Sequence, residues 1–383
     1  MRILYVHNWP VESSCANIIQ VLHMCWAFAE LGHDTTLLIP SQWNASSRVS
    51  ARIEKELGAV PPYRVVPYQL PIWYKASSLA AAYFGVSTAL RQIDADICIL
   101  RDPLLLNLAL RAGFCTVFES HKAHLHRNPL LNRILCRGLV RACRKAAVLR
   151  FISISQRLSD VWIERGVPPR KAMTLHDGVD CGSYDVDVDV PQLRRRLRLP
   201  SGRQIVTYAG SLYRDRGLDT VLRLAVQFPS VLFVIVGGPD ERATHLSHQV
   251  AREGLMNVIL VGRIPHVEVR QYLVASDILL MIWSSQVSTI QHCSPLKMFE
   301  YMAAGRTIVG HSFPTIREVL TDGKNALLAA PDDFEGLARK LSEALRHTSN
   351  SDLGKNARML AFEKYDWRQR AQAILTSLPS ELP

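Results

Sequence analysis

Lys297 stands inside the run Ser294-Pro295-Leu296-Lys297-Met298-Phe299-Glu300-Tyr301-Met302-Ala303-Ala304-Gly305. The run reads as a helix with both ends marked. Ser294 suits the N-cap, where its hydroxyl accepts an orphan backbone N–H. Pro295 suits the first helical position, where a missing N–H costs nothing, and Gly305 suits the residue just past the end. The positive end of a helix dipole favours Asp or Glu in the first turn, so Lys297 is out of place there. A bound anion resolves the conflict, because the first turn then offers backbone N–H groups and an ammonium to one phosphate group. Glu300, one turn on, has two carboxylate oxygens that can accept from the vicinal hydroxyls of a ribose. The other reading of the same residues is an ordinary capped helix with surface charges.

A second stretch, Tyr208-Ala209-Gly210-Ser211-Leu212-Tyr213-Arg214-Asp215-Arg216-Gly217-Leu218, ends a strand at Gly210 and starts a helix near Leu218. A basic loop ahead of a helix N-terminus is again a phosphate-binding arrangement. Asp215 could equally neutralise Arg214 or Arg216 as a surface pair.

These groups need a framework, and the chain alternates strand and helix patterns throughout. Strands are expected at residues 3–7, 35–39, 64–66, 97–100, 116–120, 149–155 and 172–176, and a helix at 17–31 closed by Gly32. Residues 185–202 change texture, with the acidic Asp185–Asp189, the basic Arg194–Arg196 and then Pro200-Ser201-Gly202; they read as an interdomain linker. The pattern then restarts with strands at 205–209, 231–236, 258–261, 278–282, 308–309 and 326–328. Such alternation predicts an α/β fold of two doubly wound parallel-sheet domains, with ligands beyond the carboxyl ends of the strands. Two such domains facing each other make one deep cleft lined by loops from both.

The composition fits a globular protein: 383 residues, 48% hydrophobic and 21% charged. No apolar run is long enough to span a bilayer, and the N-terminus runs into a strand pattern without a cleavage site. The eight cysteines form no C-x-x-C pair, which suggests a reducing cytoplasmic compartment and no zinc site. The net charge of +11 favours anionic partners. Arg133, Arg137, Arg141 and Arg144 recur every three or four residues in an expected helix, 129–146, forming a basic stripe. One reading is peripheral binding to an anionic membrane surface, at its inner face; the other is a solvated helix face packed on its sheet.

The order and spacing of several blocks together resemble the retaining glycosyltransferases of family 4, which have the GT-B architecture of two Rossmann-like domains. The blocks are Gly210-Ser211-Leu212, Arg216-Gly217, Val236-Gly237-Gly238-Pro239, Val261-Gly262-Arg263, Ala275-Ser276-Asp277, the Ser294–Gly305 helix, Ile316–Leu320 and Thr321–Leu328. Looser matches in the first half are Asp102-Pro103, Glu119-Ser120-His121, Ser153-Ile154-Ser155 and His176-Asp177-Gly178-Val179-Asp180. Glu363–Trp367 resembles the family's closing segment, whose final helix crosses back onto the first domain.

The resemblance implies an acceptor domain at 1–185 joined by a helix at 367–383, and a donor domain at 200–366. It implies a UDP- or GDP-linked sugar as donor, held by Gly210, Ser211, Arg216, Gly238, Arg263, Ser294, Pro295, Leu296, Lys297 and Glu300. Arg216 and Lys297 would stabilise the leaving diphosphate, without a metal or other cofactor. His121 matches a family histidine that reaches the transferred sugar. Where the family carries an Arg after the strand-end glycine, this chain has Ser211, and where it carries the first Glu of E-x7-E, this chain has His292. The acceptor, a glycan or a lipid-linked sugar, is expected on the first domain, near Asn8, Trp9 and Ser14. Retention is expected to proceed by front-face transfer, the leaving phosphate taking the acceptor proton.

Three other classes compete with this reading. A nucleotide-sugar epimerase on the same architecture is the alternative, since fold does not fix function. A nucleic-acid binder is suggested by charge alone and lacks any recognition motif. An oxidoreductase would need a G-x-G-x-x-G after the first strand, which is absent.

Overall fold

Among the described residues, thirteen strands, all paired in parallel, form two sheets. The structure, a computed structural model, describes residues 1–12, 16–41, 46–69, 85–213, 216–347 and 352–382. The chain divides into two units, Met1–Asp177 with Trp367–Pro383, and Gly178–Asp366.

The first unit holds β1 (Arg2–Val6), β2 (Asp34–Ser41), β3 (Arg64–Gln69), β4 (Ile97–Leu100), β5 (Thr116–Ser120), β6 (Val148–Ser153) and β7 (Ala172–Thr174) in the order β3-β2-β1-β4-β5-β6-β7. The second holds β8 (Ile205–Ala209), β9 (Leu232–Val236), β10 (Val258–Gly262), β11 (Ile278–Met281), β12 (Thr307–His311) and β13 (Leu327–Ala329) in the order β10-β9-β8-β11-β12-β13. Strands such as Ile205–Ala209 and Leu232–Val236 are buried along their whole length. That is the expected texture of parallel strands covered on both faces. The strand order reverses between β1 and β4 in one unit and between β8 and β11 in the other. At such switch points the flanking loops part and leave a crevice at the carboxyl ends. The expectation of two Rossmann-like parallel-sheet domains is therefore met.

The helix Trp367–Thr376 belongs to the first unit, where the Trp367 ring stacks on His23 at 6.0 Å and Arg370 is buried. The linker expected at 185–202 is instead part of the second unit. Asp189 caps the helix Val190–Arg196 by accepting from the Gln192 N–H at 3.0 Å, and Leu193 and Leu199 enter that unit's core. Arg194 donates to the Ala275 carbonyl at 2.8 Å and to Asp277 at 2.9 Å. The chain passes between the units at Asp177–Gly178 and returns at Asp366–Trp367, so the expected boundaries at 185 and 200 lie too late. No helix among the described residues is long and apolar enough to cross a membrane.

Candidate functional site

In the second unit, the loops after β8, β9 and β10 are laced together by backbone bonds. The Gly210 N–H donates to Val236 O at 2.9 Å, Gly237 N–H to Gly262 O at 2.8 Å, and Leu212 N–H to Gly238 O at 2.8 Å. Gly210 and Gly237 both have positive φ, 149° and 146°. A Cβ on Gly237 would lie 1.8 Å from the Gly210 carbonyl oxygen, so no other residue fits there without moving backbone.

The marked helix spans Leu296–Ala304, and Gly305 closes it in the left-handed conformation at φ 68°. The expected N-cap role of Ser294 is not realised. Pro295 occupies the cap with extended ψ of 122° and, having no side-chain acceptor, makes no cap bond of its own. Buried Tyr301 ties the helix to β8, its hydroxyl accepting from the Ala209 N–H at 2.7 Å.

Two cations meet over one indole at this end of the sheet. The Lys297 Nζ lies 4.3 Å from the Tyr208 ring centroid and 4.9 Å from that of Trp283, which follows β11. The Arg216 guanidinium sits 4.6 Å from the same Trp283 centroid. Lys297 has no ion-pair partner among the described residues. Desolvation, with repulsion from Arg216, pushes its ammonium down to about 7. Aromatic faces offset part of the cost of holding these charges, but they are not a counter-ion. An incoming phosphate would relieve both the desolvation and the repulsion.

Other expected donor residues are placed around this centre. Glu300 is hydrogen-bonded by His266 Nε2, so one carboxylate oxygen is already engaged. Ser294 is buried and Arg263 is exposed; the Arg263 stem packs on Gly238, whose added Cβ would sit 3.3 Å from it. Ser211 presents its carbonyl to the Tyr208 hydroxyl at 2.9 Å. Arg214 and Asp215 lie outside the described residues.

In the first unit, Glu119 at the end of β5 is fully buried and gathers five donors, three from β1, the helix Ala16–Glu30 and the helix Trp367–Thr376 and two from the loops after β4 and β5. Its oxygens accept from Tyr5 at 2.8 Å, Gln20 at 2.7 Å, His121 at 2.8 Å, Arg370 at 2.9 Å and Arg101 at 3.5 Å. Burial alone would raise its carboxyl, but Arg370 and Arg101 outweigh that and hold it well below the usual range. An ionised Glu119 can only accept, so His121 carries its proton on Nε2 and leaves Nδ1 as an acceptor. Burial, then Arg101, lowers His121 to about 4, which keeps the imidazole neutral at pH 7. The same burial raises Asp177 to about 7.

Glu119, His121 and Asp177 bring three potential ligand atoms within 4.8 Å of one another. A cation there would compete with the two guanidiniums that already neutralise Glu119. His7, after β1, is 1% exposed, and neither ring nitrogen has a partner among the described residues. Of the expected acceptor residues, Asn8 donates to Asp102 at 3.0 Å and Trp9 is 44% exposed; Ser14 lies outside the described residues.

The sequence reading missed Tyr208 and Trp283 as the cation cradle, His266 as the partner of Glu300, and Arg101 and Arg370 as the neutralisers of Glu119. Their partners lie far away in sequence. The one local signal was an indole placed directly after an apolar strand, Trp283.

Comparison with known proteins agrees with this architecture. The family described as Glycosyl transferases group 1 matches residues 189–360, and Glycosyltransferase Family 4 matches residues 19–183. Among curated relatives, the lipopolysaccharide 1,2-N-acetylglucosaminetransferase of Salmonella typhimurium is 23% identical over 47% of this chain and 49% of its own. The putative teichuronic acid biosynthesis glycosyltransferase TuaC of Bacillus subtilis is 28% identical over 66% of this chain and 67% of its own. The chain spans about half the length of the first of these relatives. Among solved structures, Anabaena HepE in complex with UDP-glucose superposes with a TM-score of 0.74 at 18% identity, over 99% of this chain and 100% of that one. Sucrose-phosphate synthase from Thermosynechococcus elongatus gives 0.77 at 17% identity, over 98% and 97%. Fold, sheet order and both family matches agree: the chain belongs to the group 1, family 4 glycosyltransferases, with the GT-B fold.

Proposed function

We propose that the protein moves a hexose-type sugar from a UDP- or GDP-linked donor to a glycan or lipid-linked acceptor, with retention of configuration and without a metal. The observation that carries this reading is the pair of cations Lys297 and Arg216, held over Trp283 at the start of the helix Leu296–Ala304. Preorganised positive charge aimed at a departing diphosphate is usually the largest single contribution to such catalysis. In the proposed step, the bond from the anomeric carbon to the diphosphate oxygen breaks and the acceptor oxygen bonds to that carbon on the same face. The acceptor proton passes to the leaving phosphate oxygen. Glu300 and Arg263 are assigned to the donor, and the Nδ1 of neutral His121 to a hydroxyl of the transferred sugar. Asn8 and Trp9 are assigned to the acceptor. The complex of HepE with UDP-glucose makes UDP-sugars the first donors to try. We also assign the basic face of the helix Pro129–Cys143 to an anionic membrane surface, suited to a lipid-linked acceptor.

The test is product stereochemistry by proton NMR, with nucleoside diphosphate release followed in parallel. The expected product keeps the donor's anomeric configuration. An inverted product would remove the front-face step, and epimerised donor with no nucleotide release would replace transfer by epimerisation.

A further inference from the structure

On the first unit, the helix Pro129–Cys143 and the residue that closes the helix Gln156–Glu164 line an open surface pocket of about 660 Å³. Five arginines line it, Arg133, Arg137, Arg141, Arg144 and Arg165, with Asn132 beside them and no carboxylate. The first four make no ion pair among the described residues. Arg165 is held in place: it donates to the Ala123 carbonyl and lies 4.9 Å from the Trp162 ring centroid. Five guanidiniums around one hollow repel each other, and each is built to take a phosphate in a two-pronged hydrogen bond. Such a pocket has the chemistry of a phosphate site.

The same helix carries a second, separate feature. Leu130, Leu131 and Ile134 are 67%, 46% and 56% exposed. Leu130, Ile134, Arg137 and Arg141 follow helical spacing, so an apolar end and a basic pocket share one face. A free phosphate or mononucleotide has no use for three bare aliphatic side chains next to its site. A bilayer does, since apolar groups at a helix start enter the headgroup boundary while arginines hold the phosphates.

We propose that this pocket binds the phosphate headgroup of an anionic membrane lipid, with Leu130, Leu131 and Ile134 inserted beside it. The inference deepens the membrane reading above and rests on it: it names a discrete headgroup pocket that includes Arg165, where that reading has only a charged face.

The experiment is co-sedimentation of the full chain with vesicles of phosphatidylcholine alone and with about 30% phosphatidylglycerol, enough for a strongly negative surface at low salt. Arg137→Glu/Arg141→Glu alters only exposed side chains, and a thermal melt verifies its fold. Ile134→Ser removes the apolar contact alone. The wild type is expected to bind only the anionic vesicles. At roughly five-fold for each basic side chain lost, the double variant is expected to lose at least about 25-fold. Ile134→Ser is expected to weaken vesicle binding and to leave inorganic pyrophosphate binding unchanged. Vesicle binding that survives in the double variant would overturn the pocket and the charged face together, as would no vesicle binding at all; binding lost in the double variant but unchanged in Arg165→Gln would overturn the pocket and spare the charged face. Pyrophosphate binding that the double variant abolishes, with no vesicle binding, would assign the pocket to a free anion instead. None of these readouts depends on transferase activity.

Discussion

At the residue scale, Lys297 carries the proposed chemistry. Its ammonium is charged below about pH 7 in the free protein and neutral above it. A diphosphate favours the charged form, so donor binding is expected to take up a proton near neutral pH and to weaken as pH rises from 7 towards 9. Calorimetry in two buffers of different ionisation enthalpy measures the uptake; identical heats would contradict it. The same shift bears on stability. The folded value lies below the ordinary lysine value of 10.5, so the unfolded chain binds more protons between about 7 and 10.5. The contribution of Lys297 to stability therefore rises with pH across that window. Urea midpoints at pH 7 and 9 are expected to climb more in the wild type than in Lys297→Met. Lys297→Ala is expected to lower kcat by roughly 10²–10³, equivalent to about 2.7–4 kcal/mol. Turnover close to wild type would take Lys297 out of the mechanism.

At the element scale, the helix Leu296–Ala304 has to hold its start against β8, and Tyr301 does this through the Ala209 backbone at 2.7 Å. Tyr301→Phe leaves a buried peptide N–H without that acceptor, at a cost of about 1–3 kcal/mol. A fall in melting temperature together with weaker donor binding is expected; stability loss with unchanged affinity would show that the tie does not position the helix.

Elements with a local signature were legible in the sequence. Buried β8 and β9, the helix ended by Gly305, and the glycines at 210 and 237 all announce themselves through nearby residues. Elements whose meaning lies in distant partners were not. The charge run at 185–202 resembles a solvated linker until Arg194 is seen to bond Asp277, more than eighty residues away. Ser294 and Pro295 both suit a helix start, and only the backbone angles show that Pro295 takes the cap. The cation cradle was invisible for the same reason, because Tyr208, Trp283 and Lys297 come from three separate stretches.

At the scale of the whole molecule, each unit has its own sheet and core, and the chain's last helix returns to the first. Arg370 on that helix shares the neutralisation of Glu119 with Arg101. Arg370→Met leaves a buried carboxylate only partly compensated, a change that typically costs about 3–5 kcal/mol. Hydrogen exchange is expected to rise in β5 and in the helix Ala16–Glu30 and to stay unchanged in β8 and β11. A uniform rise over both units would mean that Arg370 supports the entire chain and not the first unit. The reading of the molecule as a donor-binding unit joined to an acceptor unit depends most on one point, that the cations at Arg216 and Lys297 receive a nucleoside diphosphate. The most direct measurement is a thermal-shift titration of wild type and Lys297→Ala with UDP, GDP and their sugars. A native-state ligand at about a hundred times its Kd stabilises by about 2.7 kcal/mol. A clear rise in melting temperature with one nucleotide family, lost in the variant, is the expected result; an equal rise in both proteins, or none at millimolar ligand, would contradict that assignment.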